Sequence, residues 1–365
     1  MVSSFRFAIA SDLHIALPHT IRDIPQRFHF VEVSIRALET VFRHFEQLDL
    51  DFLLIPGDLT QDGEPDNHQW LQQRLAALPF PVFVIPGNHD ILQAQATQNA
   101  IGCREFPAYY QQFGYQETDK LYYTREILPG VQLVALNSNQ FDEQGQQLPY
   151  GLIDEEQLNW LEQVLEAARN RLVLAMVHHN AIAHLPGQET HPLGRRYAIA
   201  NSAQLLKILN KYNVKLLLTG HLHVQDVTEK TGIYEITTGS LVSYPHPYRV
   251  IECDRDRQVL NIQSYRVAQI PGYANLPEFS REFLADRSSP LMTKLAMLPP
   301  LELPLPEAEK IAANLRYFWA DIAAGDAIFD FPDFPPDARQ FFESFGVEMK
   351  EGKPAFIDNQ ATLKL

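Results

Sequence analysis

Cysteine is almost absent from this 365-residue chain, which contains only Cys103 and Cys253. Two cysteines cannot form a disulfide framework, and the sequence has no CxxC spacing that would bind a metal through thiolates. This scarcity is typical of a protein that works in a reducing compartment.

Long apolar segments are also lacking, because no run of residues approaches the length that spans a bilayer. The short apolar run near the N-terminus has no charged leader and continues directly into Asp12 and His14. We therefore interpret it as the first strand of the fold and not as a signal peptide. The sequence predicts a cytoplasmic protein without a membrane partner.

Positive charge is in deficit, since 30 lysine and arginine residues stand against 45 aspartate and glutamate residues and leave a net charge of −15. Such a surface repels polyanions, and the sequence has no basic stripe to attract them. A nucleic-acid polymer is therefore a disfavoured partner. A small anionic substrate, drawn in by locally bound metal ions, is favoured.

What is present is a pattern of short apolar runs that each end at a polar turn. They cover residues 7–10, 52–55, 82–85, 133–136, 172–177 and 216–218, and their lack of alternation predicts strands buried on both faces. Helical patterns over residues 31–45, 154–169 and 202–212 lie between them, and Asp154 is suited to cap the second. The fold class is therefore α/β.

Beyond residue 218 the pattern changes twice. The runs at 233–238, 248–252 and 259–267 predict antiparallel strands that complete a second sheet. From residue 271 prolines become frequent, with two helices predicted near 307–322 and 336–345. We place a boundary near residue 270, with a domain at 1–270 and a Pro-rich, partly helical appendage at 271–365. The appendage would act as a lid, dock on the core or support a homo-oligomer.

Polar residues follow the buried runs at the carboxyl ends of the predicted strands, which is where open α/β sheets bind ligands. They are Asp12 and His14, then Asp58, then Asn88 with His89 and Asp90, then His178 with His179, and finally His221 and His223. Carboxylate, imidazole and amide donors without thiolate suit manganese, iron or zinc. Each short motif is common in proteins that bind no metal, but the ordered set after five strands is not.

The ordered motifs DxH, GD, GNHD, a single His and GHxH resemble the signature of the calcineurin-like metallophosphoesterase superfamily. In this chain they begin at Asp12, Gly57, Gly87, His178 and Gly220. The resemblance implies a four-layer α/β/β/α sandwich of two mixed sheets flanked by helices, followed by the helical C-terminal extension. It also implies a binuclear centre that hydrolyses phosphoesters.

The resemblance further implies a role for each residue of the motifs. Asp12, His14 and His223 would hold one divalent metal ion; Asn88, His178 and His221 would hold the other. Asp58 would bridge the two ions, and a hydroxide held between them would attack phosphorus. His89 would protonate the leaving oxygen or stabilise the phosphoryl charge. His179 would line the pocket, or would exchange roles with His178.

Within that superfamily, the segment 57–65 and the counterparts Leu136-Asn137-Ser138 and Gln157-Leu158-Asn159-Trp160-Leu161 resemble the class III cyclic-nucleotide phosphodiesterases. Asn137 stands where that branch carries an aspartate. Arg195 and Arg196 are candidates to bind the substrate phosphate. The remaining histidines are predicted to be surface or packing residues, with His191 and His246 best placed to reach the pocket; the others are His19, His29, His44, His68 and His184.

The predicted reaction is hydrolysis of a small phosphodiester such as a cyclic nucleotide. Two alternatives remain open, namely a phosphomonoesterase, nucleotidase or nuclease on the same fold, and a metal-loaded binding or scaffold module without turnover. Because every expected ligand is present in the sequence, catalysis is favoured over the scaffold.

Overall fold

The computed structural model describes residues 2–22, 24, 27–350 and 352–365. Its strands are β1 (Ser4–Ile9), β2 (Phe52–Ile55), β3 (Val82–Val84), β4 (Tyr123–Leu128), β5 (Val131–Ala135), β6 (Leu172–Met176), β7 (Leu216–Thr219), β8 (Asp226–Lys230), β9 (Ile233–Thr237), β10 (Pro247–Asp254), β11 (Val259–Arg266), β12 (Met349–Lys350), β13 (Lys353–Pro354) and β14 (Gln360–Lys364). Its α-helices are α1 (Ser34–Phe45), α2 (Pro65–Ala76), α3 (Phe106–Tyr109), α4 (Glu155–Ala167), α5 (Ser202–Lys211), α6 (Leu276–Met297), α7 (Leu305–Ala313), α8 (Phe318–Ala324) and α9 (Pro336–Glu343).

Two mixed six-stranded sheets form the centre of the molecule. The first has the order β14-β11-β10-β1-β2-β3, in which β1, β2 and β3 are parallel and the other neighbours are antiparallel. The second has the order β4-β5-β6-β7-β9-β8, with β5, β6, β7 and β9 parallel. The predicted α/β class with two mixed sheets is confirmed.

The strands are buried on both faces because side chains of successive residues enter different hydrophobic clusters. In β5, Leu133 and Ala135 belong to the cluster that contains residues of both sheets and α1, whereas Val134 belongs to the cluster formed with α4 and α5. The layers are therefore helix, sheet, sheet and helix. This burial explains why the strands appear in the sequence as continuous apolar runs.

The predicted helices at residues 31–45, 154–169 and 202–212 correspond to a 3₁₀ turn (Val31–Val33) followed by α1, to α4 and to α5. The Asp154 side chain accepts a hydrogen bond from the Gln157 amide at 2.8 Å and so caps α4 as expected.

The prediction that the strands beyond residue 218 complete one second sheet was wrong. β8 and β9 extend the second sheet beside β7, but β10 and β11 belong to the first sheet, where β10 pairs with β1 over Ser4–Ile9. Local sequence predicts a strand from its own side chains and carries no information about which neighbour it pairs with.

The C-terminal region has more helix than the sequence predicted. No helix was predicted between residues 271 and 307, whereas α6 covers Leu276–Met297 with Pro277 in its first turn and Pro290 in its interior. The helix expected near 307–322 is divided into α7 and α8. These helices form a separate hydrophobic cluster that includes Leu222, while β14 pairs with β11 at the edge of the first sheet. None of the helices described by the structure has the length and apolarity to cross a membrane.

Candidate metal centre

The residues predicted as metal ligands lie at or just beyond strand ends, in backbone conformations that few side chains adopt. Positive φ angles occur at Asp12 (51°), His14 (41°), Asp58 (49°), His221 (65°) and His223 (58°). A non-glycine residue in this left-handed region costs roughly 1–3 kcal/mol, and such strain concentrates at functional sites. The fold holds these turns in strained conformations, and their side chains converge at one place.

The first group of convergent donors consists of Asp12, His14, Asp58 and His223. Nε2 of His14 lies 3.3 Å from Nε2 of His223 and 3.6 Å from Oδ2 of Asp58. Nε2 of His223 lies 3.2 Å from Oδ1 of Asp12. Nitrogen and carboxylate donors thus face one another at distances that leave room for a single cation between them.

The second group consists of Asp58, His178 and His221, to which Asn88 adds an amide oxygen. Nε2 of His178 lies 3.4 Å from Oδ2 of Asp58 and 3.1 Å from Oδ1 of Asn88. Asp58 is common to both groups, and a third group of the described residues combines His14 and His223 with His29.

The hydrogen bonds of the histidines indicate which ring nitrogen is free to bind a metal. Nδ1 of His178 donates to the Pro56 carbonyl at 2.8 Å, and Nε2 of His221 lies 3.2 Å from the Arg196 carbonyl. Because a carbonyl only accepts, these nitrogens carry protons, and the other nitrogen of each ring is the one that would give up its proton to bind a metal. The donor set therefore fits two divalent cations.

Two glycines permit this close approach of backbone and side chains. A Cβ on Gly57, which has φ +97°, would lie 2.5 Å from Nδ1 of His178. A Cβ on Gly220 would lie 2.5 Å from Oδ2 of Asp12. The glycines of the GD and GHxH motifs are thus required by space at the site, and Gly57 is required by its positive φ as well.

The electrostatics of the centre favour positive charge next to Asp58. Burial raises the pKa of Asp58, but the charges of His178 and His89 outweigh it and hold the pKa well below its usual value. Burial lowers the pKa of His178, yet the Asp58 carboxylate outweighs that effect and raises the pKa to about 9. A carboxylate that binds cationic partners this strongly is suited to hold metal ions.

His89 lies at the rim of the same group and its orientation is fixed from two sides. Its backbone amide donates to Oδ1 of Asp58 at 2.8 Å, and its Nδ1 donates to the Gln61 carbonyl at 2.7 Å. Burial lowers the pKa of His89, but Asp58 and a hydrogen bond with Asp62 raise it to about 9. Nε2 is left as the ring atom that can meet a ligand.

Asp90 organises the turns around the site and does not face it. Its carboxylate accepts hydrogen bonds from the amides of Leu59 at 3.1 Å, Thr60 at 2.9 Å and Gly87 at 2.8 Å. The GD and GNHD turns are therefore tied together by one buried side chain.

The other predicted pocket residues lie on the His221 side of the centre. The His179 ring lies beside that of His221, with centroids 4.2 Å apart and planes tilted by 50°, and its Nδ1 is 2.7 Å from the Ser138 hydroxyl. The Arg196 guanidinium covers the Tyr197 ring at 5.0 Å, and that ring is 5.2 Å from His221. Arg195 and Arg196 both have exposed side chains and line an open groove of about 1120 Å³. His178, and not His179, is the histidine that faces Asp58.

The prediction that His29 is a surface or packing residue was wrong. Its ring stacks on His14 with centroids 4.2 Å apart and lies 5.4 Å from His89, so it belongs to the site. Its pKa is lowered by burial and by the neighbouring His89 and His223. No motif contains it, and only the path of the loop before α1 brings it here. His191 and His246, which we expected to be nearer, are not in the metal-binding groups of the described residues.

Comparisons with known proteins agree with this geometry. The model of the calcineurin-like phosphoesterase family matches residues 5–225, which is more than half of the chain. The chain is 25% identical over 225 residues to a 3′,5′-cyclic-nucleotide phosphodiesterase from Nostoc sp., covering 61% of this chain and 74% of that protein. It is 28% identical over 194 residues to a 3′,5′-cyclic adenosine monophosphate phosphodiesterase from Escherichia coli K12, covering 51% of this chain and 58% of that protein.

Further similarities extend beyond cyclic-nucleotide enzymes. A probable glycerophosphodiester phosphodiesterase from Arcobacter nitrofigilis is 29% identical over 212 residues, covering 56% of this chain and 69% of that protein. Among solved structures, a dimetal phosphatase from Danio rerio superposes with a TM-score of 0.56 at 14% identity, covering 72% of this chain and 96% of that one. The structural match supports the fold alone.

Proposed function

The chain belongs to the calcineurin-like phosphoesterase family, and on that basis we propose that it is a phosphodiesterase acting on a small anionic diester such as a cyclic nucleotide. The observation that carries the proposal is the pair of donor groups that share Asp58. A single shared carboxylate between two sets of nitrogen and oxygen donors is the arrangement expected of a binuclear hydrolase.

We assign Asp12, His14 and His223 to one ion and Asn88, His178 and His221 to the other, with Asp58 between them. Two divalent ions, of manganese, iron or zinc, would neutralise phosphate charge and make a hydroxide nucleophile available at neutral pH. The protein's part is to fix the donors, which it does through the strained strand-end turns and the bond from His178 to the Pro56 carbonyl.

His89 is the residue we assign to the leaving group. Its Nδ1 is committed to the Gln61 carbonyl and its backbone to Asp58, so only Nε2 can meet substrate. A proton held at Nε2 can pass to the departing oxygen as the P–O bond breaks. Asp62, 3.4 Å from Nδ1 of His89, stabilises the protonated ring.

A small diester is favoured over other phosphoesters for two reasons. The relatives reported above are named as phosphodiesterases of cyclic nucleotides or glycerophosphodiesters. The net charge of −15 opposes a polymeric polyanion. Arg195 and Arg196, exposed on a short 3₁₀ turn next to His221, are proposed to bind phosphate at the entrance.

We also propose that residues 1–270 form the metal-binding domain and that residues 271–365 are an appendage docked on it. The appendage packs its helices against Leu222, which lies between two proposed ligands, His221 and His223. It also donates β14 to the first sheet. This packing supports the proposal that the appendage docks on the domain of its own chain.

The proposal is tested by comparing hydrolysis of bis(p-nitrophenyl) phosphate and p-nitrophenyl phosphate, with cAMP assayed in parallel. The protein is stripped with chelator and reloaded with Mn²⁺, and Asp58→Asn serves as the control. We expect metal-dependent cleavage that is faster for the diester. Preference for the monoester would replace the proposal with a phosphomonoesterase, and no cleavage by a protein with two bound ions would favour a binding module.

A further inference from the structure

His29 is fixed next to the metal centre by contacts of its own segment. The His29 carbonyl accepts a hydrogen bond from Nε of Arg27 at 2.9 Å, and the following amide, of Phe30, donates to the Val242 carbonyl at 2.7 Å. Arg27 is buried and also binds Glu32. The backbone is thus held at the His29 carbonyl and at the amide that follows it, and the ring itself is held by its stacking on His14.

His14, His29 and His223 place ring nitrogens within 4.8 Å of one another, so ring orientation, and not distance, sets His29 apart from the ligands we assign. The two rings are nearly parallel, with an interplanar angle of 10° and centroids 4.2 Å apart. A metal bonded to an imidazole nitrogen lies close to the plane of that ring, so one ion bonded to two stacked rings would lie well out of the plane of at least one of them, which makes His29 a poorer ligand than His223. His223, by contrast, meets His14 at 71°, so these two rings can share an ion.

His29 lies on the open side of the centre. The His14 side chain is completely buried, whereas 28% of the His89 side chain and 17% of the His223 side chain are exposed. The His29 ring stacks on His14 and is steeply inclined to both exposed rings, at 88° to His89 and 70° to His223, with centroids 5.4 Å and 5.8 Å away. A phosphate bound between His89 and His223 would therefore lie close to the His29 ring.

We propose that His29 donates a hydrogen bond to a phosphoryl oxygen of the bound substrate, which makes it a second substrate-contacting histidine besides His89. The inference rests on the proposed function only in taking the ligand to be a phosphoester. A neutral imidazole has one N–H to donate, and a hydrogen bond to a charged oxygen is among the stronger kinds. His29 would hold the phosphoryl group while His89 serves the leaving oxygen.

The test measures the binding of inorganic phosphate to the Mn²⁺-loaded protein by calorimetry, together with the manganese content. His29→Phe keeps an aromatic ring over His14 and removes the N–H, and His29→Gln restores a donor without the ring. His44→Phe is the matched control, because His44 lies on α1 and contacts Tyr248 outside the site.

We expect His29→Phe to weaken phosphate binding about 10- to 100-fold while both manganese ions stay bound. His29→Gln should recover part of the loss, and His44→Phe should bind phosphate as the wild type does. Phosphate binding by His29→Phe within twofold of the wild type would overturn the inference. Loss of one manganese ion would also overturn it, because His29 would then be a ligand.

The phosphate assay separates this inference from the proposed function. If the wild type cleaves diesters but His29→Phe binds phosphate normally, only the role of His29 fails. If the wild type cleaves no diester yet phosphate binding depends on the His29 N–H, the proposed function fails and the role of His29 stands.

Discussion

Replacing Gly57 by alanine should damage the metal centre through a single methyl group. The new Cβ would lie 2.5 Å from Nδ1 of His178 and 2.9 Å from the Cα of Gly87. Gly87 cannot retreat, because its own α-carbon is packed against Asp58, where an added Cβ would lie 2.2 Å from the backbone nitrogen. The His178 ring must therefore move by about 1 Å to reach an ordinary contact distance, which breaks its bond to Pro56.

The magnitude follows from two contributions. Alanine at the φ of +97° found at Gly57 costs about 1–2 kcal/mol in backbone conformation, and overpacking adds about 1–3 kcal/mol. We expect the free energy of unfolding of the metal-free protein to fall by about 2–5 kcal/mol. A displacement of about 1 Å at a catalytic centre lowers activity roughly 100-fold, so kcat/KM should fall by about that factor.

Gly145→Ala is the matched control for the backbone contribution. Gly145 also has a positive φ, of +77°, but its Cβ would meet only the Cβ of Ala94, at 3.6 Å. This variant should lose about 1–2 kcal/mol and keep full activity and metal content. The two variants and the wild type are compared by urea unfolding of the metal-free proteins, by metal content and by the rate of diester hydrolysis. The reasoning is refuted if Gly57→Ala matches Gly145→Ala in all three measurements.

Three further perturbations test other parts of the account. Asp58→Asn keeps the acceptor for the His89 amide but removes the charge shared by both donor groups, so elemental analysis should find neither ion tightly bound and activity should vanish. His89→Ala should retain both ions and lower kcat about 10²- to 10⁴-fold; loss of metal would mean that His89 is a ligand. Burial lowers the pKa of His184, but Asp226 and Glu235 raise it to about 10, above the unfolded value of about 6.5. Its stabilising effect is therefore complete below pH 6.5 and is lost as the pH rises toward 10. The wild type should exceed His184→Gln in free energy of unfolding by an amount that shrinks over that range. A difference that stays constant would contradict this.

The sequence predicted the position of the site because its residues follow strands with a clear signal. Asp58 and His178 each come within three residues of the end of an apolar run, and parallel strands bring their carboxyl ends to one edge. His29 could not be found this way, since it lies in irregular chain and reaches the site only through contacts such as that of Phe30 with Val242.

In the fold as well, the elements that could be predicted are those with a signal in their own local sequence. Buried helices such as α4 carry a periodic apolar face and a capping residue in their own sequence. α6 was not predicted; its Pro277 lies in the opening turn, where proline is tolerated, and its Pro290 lies in the interior of the helix. The pairing of β10 with β1 depends on contacts between residues some 240 positions apart, which local patterns do not encode.

The central claim, that Asp58 lies between two metal ions, is tested most directly by anomalous scattering from crystals of the Mn²⁺-loaded protein. The account predicts two anomalous peaks, one within reach of Asp12, His14 and His223 and the other within reach of Asn88, His178 and His221, with the Asp58 carboxylate between them. A single peak, or a peak bonded to His29, would contradict it.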